Sequence, residues 1–168
     1  MEQDQDFSEF ASARWGTLVR SAVFLGCTLE EAHDLVQTTL LRCYTAWSKV
    51  KKADNRDAYG YRTLLNCHRD SRRRRWWGEQ PTATIPDHPS GVEMSEAVAV
   101  TDAVHRALSD LSKANREVVV LRYYAHLSEQ QTAEVLDIAP GTVKSRLTRA
   151  LAQLSTSVHL ADLSEGTL

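Results

Sequence analysis

Apolar residues return along most of this chain at steps of three and four, the spacing that stacks side chains on one face of an α-helix. The clearest run is Ala32, Leu35, Val36, Thr39, Leu40, Cys43 and Trp47. Upstream, Phe7, Phe10, Ala11, Leu18, Val19, Ala22 and Val23 trace a second face, and a third helix is predicted from near Asp57 through Tyr61 and Leu65 to Arg75. Thr28, with Glu31 three residues on, has the form of a capping box opening the middle helix. No stretch alternates with the period of two that a strand needs, so the predicted fold class is all-α.

Downstream, Val100, Val104, Leu108 and Leu111 line one predicted helix, and Val118, Val119, Leu121 and Tyr124 belong to the next. Ser128 and Gln131 repeat the capping-box pattern ahead of Leu136. A turn at Asp137, Ile138 and Ala139 leads to Pro140, which suits a first helical position because its missing N–H would be unpaired there anyway. Val143, Leu147, Ala150, Leu151 and Leu154 share the face of the last helix. Between the two helical halves, GEQPTATIPDHPSG holds three of the chain's four prolines and no helical period. The organisation predicted is a helical domain over 5–77, an extended linker over 78–96, a second helical domain over 97–156 and a tail over 157–168.

Composition narrows the class without naming it. With 42% hydrophobic and 25% charged residues in 168, the chain has the make-up of a folded globular protein. Its formal charge of -2 conceals segregation: residues 56–75 carry seven Arg against Asp57 and Asp70, whereas residues 1–10 carry four acids and no base. Such a distribution builds a local positive surface despite a near-neutral total. No apolar run approaches a membrane span, and the acidic start is the reverse of a secretory signal, so a cytoplasmic location is expected. The six His and the carboxylates form no metal-spaced set, no phosphate-binding Gly loop occurs, and neither metal nor cofactor is expected. Cys27, Cys43 and Cys67 are odd in number and widely spaced, which reads as buried free thiols.

The segment LSEQQTAEVLDIAPGTVKSRLTRALAQL has the size and polarity of a helix-turn-helix, whose second helix enters the major groove. Opposite its apolar face stand Thr142, Lys144, Ser145, Thr148 and Arg149, cationic and hydroxyl side chains suited to base edges and phosphates, with no acid among them. A helix-turn-helix alone also fits a repressor or activator that dimerises through its first half. A nucleophilic Cys27 or Cys67 is the enzymatic alternative, with no His placed to assist it.

REVVVLRYYAHLSEQQTAEVL followed by PGTVKSRLTRALAQL resembles region 4 of sigma factors, the helix-turn-helix that reads the promoter's -35 element. Carried over by position, Lys144, Ser145, Thr148 and Arg149 would face the groove with Thr142, while Arg122, Glu129 and Gln130 would lie at the DNA backbone or groove edge. Asp137 and Ala139 stand where the family commonly has Gly and a capping Ser.

EEAHDLVQTTLLRCY resembles region 2.2, the helix that docks on the β′ clamp helices of core polymerase. This makes Asp34, Gln37, Thr38 and Arg42 the docking candidates, with Thr38 and Leu40 replacing the frequent Glu and Phe. NRDAYGYRTLLNCHRDSRRRRWW resembles regions 2.3 and 2.4, which capture the opened -10 element. Asn66 matches the position beside a flipped base, Arg62, Arg69, Arg72 and Arg73 would hold the strand, and Lys51 to Arg56 would form the pocket's rim. Tyr59, Tyr61, Trp76 and Trp77 are read as packing residues, the two Trp against the linker. The acidic linker is either an RNA-like strand in the polymerase's RNA path or a tether. The whole resembles extracytoplasmic-function sigma factors, notably the short sigma-E group. It implies a three- to four-helix region 2 bundle and a region 4 helix-turn-helix. The implied partners are core polymerase (β′ clamp helices and β flap), promoter DNA and an anti-sigma protein. The implied product is a non-enzymatic subunit.

Overall fold

The structure is a computed structural model and describes residues 2–78 and 96–165. The first half contains α1 (Glu2–Phe24), α2 (Leu29–Thr45), α3 (Trp47–Lys52) and α4 (Arg56–Gly78). The second contains α5 (Glu96–Ser109), α6 (Lys113–Val119), a π-helical turn (Val120–Tyr124), α7 (Glu129–Leu136), α8 (Pro140–Ser155) and α9 (Val158–Glu165). Among the described residues there is no strand.

Local chemistry accounts for the helix ends. α1 stops where Gly26 takes φ 108°, letting the N–H of Cys27 reach the carbonyl of Ala22 at 3.1 Å and that of Gly26 reach Val23 at 3.0 Å, a Schellman closure. Two residues later Thr28 opens α2 with a complete capping box: Glu31 N–H donates to Thr28 Oγ1 at 3.2 Å, and Thr28 N–H to Glu31 Oε2 at 2.9 Å. Trp47 does not prolong the α2 face, as its spacing predicts. α2 ends at Thr45, and Trp47 opens α3 fully buried, with Phe7 and Phe10 packed on its ring. The predicted rim loop of residues 51–56 is correspondingly short, because Lys51 and Lys52 finish α3 and Arg56 begins α4. In the second half, Leu111 follows α5 instead of lying on it, and the helix predicted through Tyr124 widens into the π turn. There the Ala125 N–H reaches back five residues to Val120 at 2.9 Å.

The two helical groups share apolar surface. One continuous cluster runs from Leu18, Ala22, Val36, Leu64 and Leu65 in the first half to Val118, Leu121, Val135 and Val143 in the second. α4 lies against α7 and α1 against α5 and the π turn. A smaller cluster of Leu108, Leu111, Val119 and Ala150 seats α8 on α5 and α6. These cores leave the polar faces of α2, α4 and α8 directed outward. The linker residues 79–95, with the Pro-rich stretch and its acids, lie outside the described residues.

Candidate nucleic-acid interface

Residues 128–155 form the helix-turn-helix that the sequence predicts. Ser128 caps α7 with a complete box, the Gln131 N–H donating to Ser128 Oγ at 3.0 Å and the Ser128 N–H to Gln131 Oε1 at 2.8 Å. Asp137 adopts the left-handed conformation (φ 55°, ψ 50°), and the Ile138 N–H closes α7 on Ala133 O at 3.0 Å. Asp tolerates this region better than most side chains, so the closure that Gly26 makes for α1 survives here without glycine. Ala139 supplies no side-chain cap to α8, while Pro140 takes the first turn, where no N–H is needed.

On α8, Val143 and Ala150 are fully buried, which turns Lys144, Ser145, Thr148 and Arg149 to solvent. Thr142 and Arg146 are half-buried at the sides. The hydroxyls are tied back: Ser145 Oγ donates to Thr142 O at 3.1 Å and Thr148 Oγ1 to Lys144 O at 3.0 Å. Arg149 Nε donates to Ser145 O at 3.3 Å, lying along the helix. Among the described residues no carboxylate pairs with Lys144 or Arg149. Glu129 and Gln130 are exposed at the start of α7. Arg122 is placed differently from the other candidates: half-buried in the π turn, it donates from Nη1 to the Leu127 carbonyl and braces the approach to α7.

α4 offers the second surface. Arg62 and Asn66 are exposed one turn apart, on a helix held down by buried Leu64, Leu65, Cys67 and His68. Arg62 also lines, with Asn55 and Tyr59, a cleft of about 350 Å³ whose far wall is Gln131, Glu134 and Val135 of α7. Several cations are held by carboxylates. Arg69 pairs with Glu117 of α6 at 3.2 Å, Arg73 with Asp70 at 3.3 Å, and Arg75 with Glu31. Asp6 likewise holds Lys51 at 3.4 Å and Arg56 at 3.1 Å at the rim. Arg72 remains exposed.

Of the aromatics, Tyr61 is buried and Tyr59 half-buried, as packing residues should be. Trp76 and Trp77 are 88% and 82% exposed at the end of α4, and the linker residues expected to pack on them lie outside the described residues. The residues ahead of the Pro-rich stretch therefore present two aromatic rings beside four Arg.

The docking candidates Asp34, Gln37, Thr38 and Arg42 are all exposed on α2. Thr38 Oγ1 donates to Asp34 O at 3.0 Å, and Arg42 reaches Asp70 of α4 at 3.3 Å. Asp34, Thr38 and Arg42 form one wall of a 340 Å³ groove whose other wall is Ser71, Arg72, Arg74 and Arg75. Leu41, 63% exposed beside them, is a surface residue that helical spacing does not single out. Its signal is the Leu40–Leu41 doublet, since only one of two consecutive leucines can face the core.

The three thiols are free and buried. Burial pushes the Cys27 thiol up to about 11, so it is not a ready nucleophile at neutral pH. Beneath α4, burial together with the cations Arg72 and Lys113 pushes His68 down to about 4 and keeps it neutral.

The family model for sigma-70 region 2 matches residues 13–78, and that for sigma-70 region 4 matches residues 101–154. Over 158 residues the chain is 35% identical to the RNA polymerase sigma-E factor of Streptomyces coelicolor, covering 94% of this chain and 89% of that protein. It is 31% identical over 138 residues to the ECF RNA polymerase sigma factor SigM of Mycobacterium tuberculosis, covering 82% and 69%. Among solved structures, the sigma factor RpoE bound to the anti-sigma factor NepR from Bartonella quintana is similar with a TM-score of 0.69 at 25% identity, over 87% of this chain and 94% of that one. CnrH in complex with the cytosolic domain of CnrY has a similar fold, with a TM-score of 0.69 at 22% identity over 98% and 91%. Matches to both regions on one chain set aside the dimeric repressor.

Proposed function

The chain belongs to the extracytoplasmic-function group of sigma-70 family factors and directs promoter-specific transcription initiation with RNA polymerase; from that premise we propose how its residues divide the task. Asp34, Gln37, Thr38 and Arg42, with Leu41 beside them, dock α2 on the β′ clamp helices. Lys144, Ser145, Thr148 and Arg149 enter the major groove of the -35 element, flanked by Thr142, Glu129 and Gln130, and Arg122 holds the turn behind them. Asn66 receives a base of the melted -10 strand while Arg62, Arg69, Arg72 and Arg73 contact the phosphates around it, since a separated strand offers base faces and an exposed backbone. The division of labour follows residues 5–77 and 97–156, the second also meeting the β flap, with residues 78–96 passing between them.

Bond making belongs to the polymerase, so the chain is a cytoplasmic, non-catalytic subunit that needs no cofactor. An anti-sigma protein is a further partner, by analogy with the two complexes above. Among the described residues no helix is long and apolar enough to cross a membrane. The observation that carries the reading is the acid-free exposed face of α8, rigidly seated by Val143 and Ala150, on the same chain as the exposed Arg62–Asn66 face of α4.

Run-off transcription with core polymerase tests it. Arg149→Ala should cost about 1–3 kcal/mol at one -35 base pair and relax specificity there, leaving core binding unchanged. Unaltered -35 preference in that variant would overturn the assignment of α8.

A further inference from the structure

We propose that the groove between α2 and α4 is a binding site for a small phosphate ester of mononucleotide size, and that its occupant bars α2 from core polymerase. The second half of this rests on the assignment of α2 to the β′ clamp helices.

The groove opens because the inward face of α4 changes character along its length. At steps of three and four that face runs Tyr61, Leu64, His68, Ser71 and Arg75, apolar at first and polar from His68 onward. The opening measures about 340 Å³, and the buried side chains of Cys27, Leu35 and Cys67 give it an apolar floor. That volume is wasted on a lone inorganic ion and lies at the small end of organic ligand sites.

His68 is the second, independent sign of a ligand. It lines the groove at 6% exposure, and its Nδ1 is enclosed without a hydrogen-bond partner among the described residues. Buried polar atoms are nearly always paired, so an unpaired ring beside an open groove points to a molecule that completes it. Burial first, and the charge of Arg72 second, keep the imidazole neutral. It therefore offers a ligand one donor and one acceptor.

The walls define the chemistry of that molecule. Arg72 and Arg74 on the α4 side have no carboxylate partner among the described residues, whereas Arg75 is held by Glu31. Paired guanidinium groups match the oxygens of a phosphate. Opposite them Asp34 is exposed on α2, where a carboxylate accepts hydroxyl or amino donors and repels a second anionic end. One phosphate, a flat body for the floor and hydroxyl or amino groups for Asp34 are the parts of a nucleoside monophosphate.

This groove is separate from the face assigned to the -10 strand. With about 3.6 residues per turn, Ser71, Arg74 and Arg75 stand on the far side of α4 from Arg62, Asn66 and Arg73. Asp34, Thr38 and Arg42 form its α2 wall, so an occupied groove and a docked clamp helix draw on the same side chains.

Calorimetry on the full chain with each of the four ribonucleoside 5′-monophosphates tests the site. At least one should bind one-to-one, at least tenfold tighter than inorganic phosphate or its own unphosphorylated nucleoside, and the His68 ring-proton resonances should move with the same saturation. Four silent titrations, or equal binding of phosphate alone, would overturn the proposal. Arg74→Gln should weaken the nucleotide at least tenfold and change affinity for a pre-melted -10 oligonucleotide less than threefold; wild-type nucleotide binding in that variant would remove the phosphate seat. Saturating nucleotide should also weaken binding of the chain to core polymerase at least fivefold, an effect that Arg74→Gln should abolish. Unchanged core affinity would overturn the inhibition. If Asp34→Ala and Arg42→Ala bind core as the wild type does, the docking assignment of α2 fails, while calorimetry still decides the site.

Discussion

Helices α4 and α8 are both basic, yet their cations are committed differently. On α8, Lys144 and Arg149 stand over a seat of small and branched apolar residues, and among the described residues no carboxylate claims them. On α4, Arg69, Arg73 and Arg75 are held by Glu117, Asp70 and Glu31, and a neutral histidine lies underneath. The difference teaches that cation count does not measure readiness to bind. A duplex reader can be presented complete, because the duplex exists before the protein arrives. In the roles proposed above, α4 reads melted DNA and acts only after strand opening, and cations neutralised within the protein until then attract less non-specific DNA.

Acid should separate the two helices most. His68 is held near 4, down from 6.5, so it contributes stability that is present above about pH 6.5 and is lost as pH falls toward 4. The loss amounts to about 3 kcal/mol at most for a shift of that size. No titratable group is buried on α8. Urea unfolding at pH 7 and pH 4.5 should show this loss in the wild type and a smaller one in His68→Leu. An equal pH dependence in both would remove His68 from the comparison.

A middle-sized effect concerns the caps of the α7–α8 unit. Ser128→Ala breaks the box at α7 and should cost about 1 kcal/mol. Ala139 already has the extended backbone of a cap (φ -67°, ψ 145°), so Ala139→Ser should gain up to about 1 kcal/mol. Thermal melts of the two variants should move in opposite directions.

The smallest effect bears most directly on the cations. Lys144→Ala should reduce the slope of log affinity against log salt by about 1 on promoter DNA. Arg73→Ala should reduce it by less, because Asp70 already neutralises part of that charge. Equal slopes would mean that the α4 ion pairs dissolve on binding.

Much of this was legible in residue order because the interactions concerned reach only a few positions along the chain. Both capping boxes, the left-handed Asp137 and the start of α8 at Pro140 are set by groups three to five residues apart, and they occur where the pattern puts them. The exposed faces of α2 and α8 follow from helical period, whereas the docking candidates on α2 were singled out by the family resemblance. The spacing misled at Trp47, where a break at Ala46 starts a new helix around a buried ring.

By itself, then, the sequence determined an all-helical chain in two groups, the turn between α7 and α8, and the side chains that face outward. Each of these depends on bonds and steric preferences local to a turn or two of helix. Only the tertiary structure decided that Glu117 is buried and holds Arg69, 48 positions away, and that Arg116 reaches Leu25 across 91. In REVVV that glutamate looks like any solvated charge beside an apolar run. Its burial comes from the packing of one helical group on the other, and no interval in the sequence encodes that contact.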